Sequence, residues 1–282
     1  MRRHMGSSMG VARVCGLVVL LLAAGCARQP IIEKPVPTLT KAEVMSRLNS
    51  QASDAAGLRA KLDVKVRTSQ TNREDATGGY LAAAWPDKLR IRGEHDLLEY
   101  PPFDIGSDGT TWFVQLHLAE QNDLHLGATR TLDEKFDPGV PLKPSDVVVA
   151  LGVGELKENP PDRELFFTRL PGQYLITELV TNKSGRYIGR RMWVDPDALV
   201  ITRVETYRPD DAVDMIAEMT FDPNARDART VPVRARIRLL RKDHFQLDLK
   251  LRDRKSGLIS PGRAKRLFAL PEAEGANVIR HD

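Results

Sequence analysis

The chain has 282 residues, with 42 Lys and Arg against 38 Asp and Glu, 6% aromatic residues and two cysteines. Setting aside Arg2, Arg3 and Arg13 at the N-terminus leaves 39 basic against 38 acidic residues, a balance with no electrostatic footprint for nucleic acid. Cysteines at positions 15 and 26 alone supply neither a disulfide framework nor a thiolate zinc site, so stability must come from an apolar core.

Residues 14–25 (VCGLVVLLLAAG) form an apolar run behind Arg2, Arg3 and Arg13, ending in Ala23, Ala24 and Gly25. Basic region, short apolar region and small residues are the parts of a secretory signal peptide, and the run is shorter than the roughly 20 residues of a spanning helix. The ending Leu22-Ala23-Ala24-Gly25-Cys26 resembles the lipobox of bacterial lipoproteins, although Ala23 stands where a branched apolar residue is commonest. The resemblance implies removal of residues 1–25, a diacylglyceryl group on Cys26 and acylation of the new N-terminus. The competing reading is an ordinary signal peptide with an incidental cysteine. Residues 26–39 carry Pro30, Pro35 and Pro37 and no periodic apolar face, and read as an extended tether. A single domain is expected over 40–282.

Thr40-Lys41-Ala42-Glu43 has capping-box spacing, and Val44, Leu48, Ala52 and Ala55 follow at helical intervals, predicting a helix to about Ala56. From Leu58 the period changes to two. Leu62, Val64 and Val66 alternate with Lys61, Asp63, Lys65 and Arg67 as in a half-buried strand. Further strands are expected at 80–85, 88–92 and 111–118, with Pro86-Asp87 and Asp108-Gly109 turns between them. Residues 144–151 (PSDVVVAL) predict a short helix opened by Pro144, against the β preference of its valines. Strands follow at 166–169, 174–180, 190–194, 199–207 and 214–221, with an Asp195-Pro196-Asp197 turn joining the third and fourth.

The clearest alternation comes last. Val231, Val233, Ala235, Ile237 and Leu239 oppose Arg234, Arg236, Arg238 and Arg241, while Phe245, Leu247, Leu249 and Leu251 oppose Gln246, Asp248, Lys250 and Arg252. This predicts a β-hairpin with one apolar and one charged face. The arginine row reads either as a stripe for phosphate groups or as a solvated sheet face, and the acidic neighbours favour the second. The elements together predict a mainly β fold with helices (α+β): a strongly curved antiparallel sheet forming an unclosed barrel, its apolar concave face covered by helices.

Several motifs in order resemble the LolA/LolB lipoprotein carriers and the related outer-membrane lipoprotein-sorting and anti-sigma regulatory proteins. They are Trp85-Pro86-Asp87-Lys88-Leu89-Arg90, Ser107-Asp108-Gly109-Thr110-Thr111-Trp112, and Trp193-Val194-Asp195-Pro196 followed by residues 199–205. Phe268-Ala269-Leu270-Pro271 with residues 275–279 resembles the closing strand and tail of those proteins. The resemblance implies an unclosed barrel plugged by helices and an apolar interior that shields acyl chains or a client lipoprotein. An anchored member would act as receptor or acceptor. Ala27 after Cys26, in place of the Asp that retains lipoproteins at the inner membrane, points to the outer membrane. In anchored carriers a loop between strands exposes an apolar side chain to the bilayer, and residues 95–105 occupy that place here. Leu97, Leu98, Tyr100 and Phe103 are therefore candidate membrane or client contacts, with packing back onto the core as the equal alternative.

Candidate cavity-lining positions are Leu62, Val64 and Val66 on the first strand, then Leu89, Ile91, Trp112 and Val114. Met192, Val194, Val233, Ile237 and Leu249 extend the set, and ordinary core packing is the competing reading for each. Catalytic signatures are missing: there is no G-x-S-x-G, and His95, His117, His125, His244 and His281 show no metal-ligand spacing. His117 and His125, eight apart, could meet across a hairpin. Gly152-Val153-Gly154 reads as a helix cap and turn. We expect no enzyme, no cofactor and no metal. The partners expected are acyl chains or client lipoproteins and the membrane, with no nucleic acid. The alternative is a structural or sensory envelope lipoprotein that uses the same fold to bind a protein partner.

Overall fold

The computed structural model describes residues 37–54, 57–67, 74–84, 87–94, 102–118, 121–129, 144–151, 156, 162–183, 185–222, 224, 231–240, 245–273 and 275–281. Cys26 and the tether before Pro37, together with Leu97, Leu98, Tyr100, Gly152–Gly154 and Arg241, lie outside these residues.

The first helix, α1 (Lys41–Asp54), opens on the reciprocal cap its spacing predicts. The Thr40 amide donates to Glu43 Oε2 (2.7 Å), and the Glu43 amide donates to Thr40 Oγ1 (3.3 Å). The first of these bonds is the main reason the Glu43 carboxyl sits below its ordinary pKa. Val44, Met45, Leu48 and Ala52 form the buried stripe of α1.

Six strands follow: β1 (Gly57–Arg67), β2 (Glu74–Ala84), β3 (Lys88–Glu94), β4 (Phe103–Asp108), β5 (Thr111–Leu118) and β6 (Gln121–Ala128). A two-turn helix, α2 (Pro144–Ala150), precedes β7 (Arg163–Leu170), β8 (Gln173–Asn182), β9 (Gly185–Val194), β10 (Ile201–Tyr207) and β11 (Val213–Thr220). The predicted terminal hairpin is β12 (Arg234–Leu239) with β13 (Phe245–Lys255), and α3 (Pro261–Leu267) and β14 (Asn277–His281) close the chain. The valines of α2 do not make it a strand: Val147, Ala150 and Leu151 are buried while Val148 and Val149 between them are only half-buried, the spacing of one helix face. At the Asp195 turn, the carboxylate accepts the amides of Asp197 and Ala198 (2.9 and 2.8 Å). Leu199 there has φ +53°, so β10 begins at Ile201 rather than at Leu199.

The strands form one 14-stranded sheet in the order β14-β6-β5-β4-β3-β2-β1-β13-β12-β11-β10-β9-β8-β7. Every pairing is antiparallel except β14 on β6, and β14 and β7 are left as edges, so the sheet does not close. Its curvature follows from α2, which touches β3 and β4 as well as β10, β11 and β12. Seven strand spacings separate β4 from β10, roughly 34 Å if flat, whereas α2 is only about 10 Å long. The sheet must therefore curl for so short a helix to reach both groups.

The alternation of strand directions defines two rims. At the Gly57 rim lie the start of β1, the Asp195 turn, the β7–β8 turn and the connection from β13 to α3. The end of β1 at Arg67, the β8–β9 turn, the end of β3 and the start of β4 lie at the opposite Arg67 rim. Gly57 is required where it stands, because a Cβ there would sit 2.3 Å from the Gly257 carbonyl oxygen and 2.7 Å from Ile259 Cγ1.

Candidate functional site

Residues paired across a sheet share a face, so the register locates the apolar surface directly. One row runs through eight strands without a polar interruption: Val66, Leu247, Ile237, Ala217, Val204, Met192, Ile176 and Phe167. In the other half, Ala60, Leu81, Ile91, Ile105 and Val114 form a second row that ends at His125. Val44, Met45 and Leu48 of α1, with Val147, Ala150 and Leu151 at α2, belong to the same core cluster as the apolar side chains of β1 to β3 and β7 to β13. Burying one such aliphatic side chain stabilises by about 1.5–3 kcal/mol.

The candidate lining residues fall on this face but in two groups. Leu62, Val64, Leu89, Ile91, Met192, Val194, Ile237 and Leu249 are buried in the main cluster, with Val66 packed against it. Trp112 and Val114 instead belong to a separate small cluster with Ile105. Val233 is half-buried and precedes β12. Phe103, the one described member of the candidate loop set, is half-buried and packs against both clusters. A Cβ at Gly93 would be 2.8 Å from the Phe103 ring, so the phenyl lies flat on the sheet rather than projecting from it.

Besides Ser107, which lies between Leu89 and Trp112, two polar groups interrupt the apolar face, and neither was expected. The row Phe245, Leu239, Met215, Thr206 continues into Arg190 and Glu178. Glu178 is only 5% exposed. Its carboxylate accepts from Arg190 Nε (3.0 Å) and Nη2 (2.8 Å), and from Arg163 Nη1 (3.4 Å). The signal was in the sequence: Glu178 keeps the period of Tyr174 and Ile176, so the alternation that buries them carries it inward as well.

The second polar group is His125, which does not meet His117, since the β5–β6 register pairs it with Val114 and pairs His117 with Asn122. His125 Nδ1 lies 3.0 Å from Nε2 of His281 on β14, with the rings stacked at 5.3 Å. Burial, then the neighbouring His281, holds the His125 pKa below its ordinary value.

The arginine row lies on the opposite face, inside a ladder of alternating charge. Trp193, Arg203, Glu218, Arg236, Asp248 and Lys65 are successive cross-strand partners. Arg203 stacks over Trp193 at 5.3 Å, Arg234 Nε donates to Asp248 (2.6 Å), and Arg238 lies 3.8 Å from Glu218. The Arg234 bond is the main reason Asp248 stays below its ordinary pKa. Each of these three arginines faces a carboxylate, which is the arrangement of a solvated, internally compensated sheet face. Among the described residues, no three His, Cys, Asp or Glu side chains come together as metal ligands.

No family model matches the chain, and no curated protein matches it in sequence. Solved structures match it in fold. A putative outer membrane lipoprotein-sorting protein domain from Vibrio parahaemolyticus superposes with a TM-score of 0.55 at 11% identity, covering 80% of this chain and 97% of that one. A LolA superfamily protein from Nitrosomonas europaea gives 0.52 at 12% identity, covering 82% and 98%. A DUF1329 family protein from Desulfovibrio piger gives 0.53 at 11% identity, covering 81% and 97%. The large unclosed sheet, its order and these superpositions together give the chain a LolA-like fold.

Proposed function

We propose that this protein is a non-enzymatic lipid- or lipoprotein-binding protein of the cell envelope, anchored through a lipid on Cys26, with the outer membrane as its address. The observation that carries this reading is the seat of α2. Val44, Met45 and Leu48 of α1 share a core cluster with the sheet, and α2 touches β3 and β4 as well as β10, β11 and β12, with Val147, Ala150 and Leu151 buried and Val148 and Val149 packed against the same cluster. Such a helix is a removable plug. An acyl chain taking its place would contact the same aliphatic side chains, at about 0.8 kcal/mol for each buried CH₂. Binding of this kind needs no directed chemistry, and the LolA-like fold supports it by likeness.

A second reading has its own observation. Val204, Met215, Ala217, Ile237 and Leu249 are all at most 1% exposed, so much of the apolar face is filled by its own side chains. That packing favours a structural or sensory lipoprotein with a protein partner.

Native mass spectrometry of the full chain with Cys26→Ser, isolated from envelopes, separates the two. Carriage predicts co-purifying phospholipid or acyl chains that are lost on delipidation and regained with added lipid. A protein that stays lipid-free after incubation with lipid would sink the carrier reading. Cys26 acylation is checked separately, by the mass of the mature N-terminal peptide.

A further inference from the structure

The end of β13 and the segment that runs through α3 form a basic stretch. From Arg254 to Pro271 there are five basic residues and no acidic one. Lys255, Arg263, Lys265 and Arg266 are all exposed. None of the four is ion-paired among the described residues, whereas Arg234, Arg236 and Arg238 nearby all face carboxylates. Within this basic stretch stands Leu258, 89% exposed and the most exposed large apolar side chain among the described residues.

The stretch is held at both ends, so the projection of Leu258 is built in. On one side Ile259 packs against Gly57, with Gly257 at φ +121°. On the other, Phe268 is buried, and Arg90 Nη1 donates to the carbonyls of Leu267 (3.2 Å) and Ala269 (3.1 Å). The entering chain is fixed at the same rim: Tyr174 donates its hydroxyl to the Pro37 carbonyl, and Arg169 donates to those of Thr38 and Leu39.

We infer that residues 255–270 form a membrane-surface contact for a bilayer with anionic headgroups, with Leu258 as the apolar wedge and Lys255, Arg263, Lys265 and Arg266 as the phosphate-facing cations. An exposed leucine in a stretch with four cations unpaired among the described residues complements a surface that is apolar below and anionic at the level of the headgroups. The contact turns the Gly57 rim toward the bilayer and leaves the Arg67 rim facing away. It goes beyond the proposed function, since it requires neither an acyl-binding cavity nor the Cys26 lipid.

The test uses the full chain with Cys15→Ser and Cys26→Ser, carrying either Leu258→Cys or Lys183→Cys as its single thiol. Lys183, in the β8–β9 turn, is exposed at the Arg67 rim. Each thiol is labelled with a fluorophore and mixed with phosphatidylcholine vesicles, with or without about 30% phosphatidylglycerol, that contain a spin-labelled quenching lipid. We expect several-fold stronger quenching at position 258 than at 183 on the anionic vesicles, and no such difference on the neutral ones. The combined reversal Arg263→Glu, Lys265→Glu and Arg266→Glu changes only exposed side chains and should weaken the effect about tenfold or more. Equal quenching at both positions on anionic vesicles, as an acidic protein partner would leave it, overturns the inference. So does quenching at 258 that survives the charge reversal.

Discussion

Arg90 on β3 and Asp104 on β4 meet as a bidentate pair that is almost wholly enclosed, with Nε to Oδ1 at 2.9 Å and Nη2 to Oδ2 at 2.5 Å. Their side chains are 9% and 2% exposed. The third guanidinium nitrogen is spent on the carbonyls of Leu267 and Ala269, and the cation lies 5.6 Å from the centre of the Phe113 ring. One side chain thus ties the sheet to the segment that follows α3. Asp104→Ala strands the cation and should cost about 3–5 kcal/mol in urea unfolding. Arg90→Met with Asp104→Leu should cost less than Asp104→Ala alone, because no charge is then left uncompensated. An equal cost would show that shape, not charge, sets the penalty.

His125 makes the docking of β14 sensitive to acid. Its folded pKa lies below the ordinary value of about 6.5, so the unfolded chain takes up a proton more readily than the folded one. The groups facing it are His281, which lowers the pKa, and Asp123, which raises it. Stability is therefore unaffected well above pH 6.5 and falls as the pH drops through and below that value. The protection factors of the β14 amides, which correct exchange for its intrinsic rate at each pH, should fall over this range in the native protein and lose that dependence in His125→Asn. Equal slopes in the two proteins would remove His125 from the account.

Gly127 makes room for Trp112. A Cβ at position 127 would lie 2.6 Å from indole carbons of Trp112, which is fully buried. Gly127→Ala should cost about 1–3 kcal/mol by overpacking and alter the near-ultraviolet dichroism of the buried indole. An unchanged spectrum and melting point would mean that β6 yields without disturbing the ring.

The plug role of α2 predicts opposite effects on stability and binding. Val147→Ala with Leu151→Ala removes buried methyl groups from both turns, and should destabilise by a few kcal/mol while raising the affinity for a fluorescent fatty acid. If affinity falls or stays level in a folded double variant, α2 is a fixed part of the core.

Much of the fold is legible along the chain because a sheet with one apolar face writes period two into its strands. Val64, Ala235, Ile237, Leu247 and Leu249 lie on the face their alternation assigns, and Thr40 and Glu43 cap α1 as their spacing requires. Strands β4 and β6 and helix α3 are less legible. Asp104 and Ser107 in β4 and His125 in β6 are buried polar residues whose partners are remote, among them Arg90, Thr129 and His281, so they read locally as surface.

What the sequence determined by itself is which residues turn toward an apolar face, since side-chain period is a local property of the backbone. Tertiary structure alone decided what those faces meet. It placed β1 beside β13 and β14 parallel to β6, separated Trp112 and Val114 from the main cluster, and buried Glu178 between two arginines. It also left Leu258 outside, in a stretch where Lys255, Arg263, Lys265 and Arg266 make no ion pair among the described residues. Each of these depends on contacts between residues far apart in the chain, and such contacts form only when the sheet curls and pairs its distant strands.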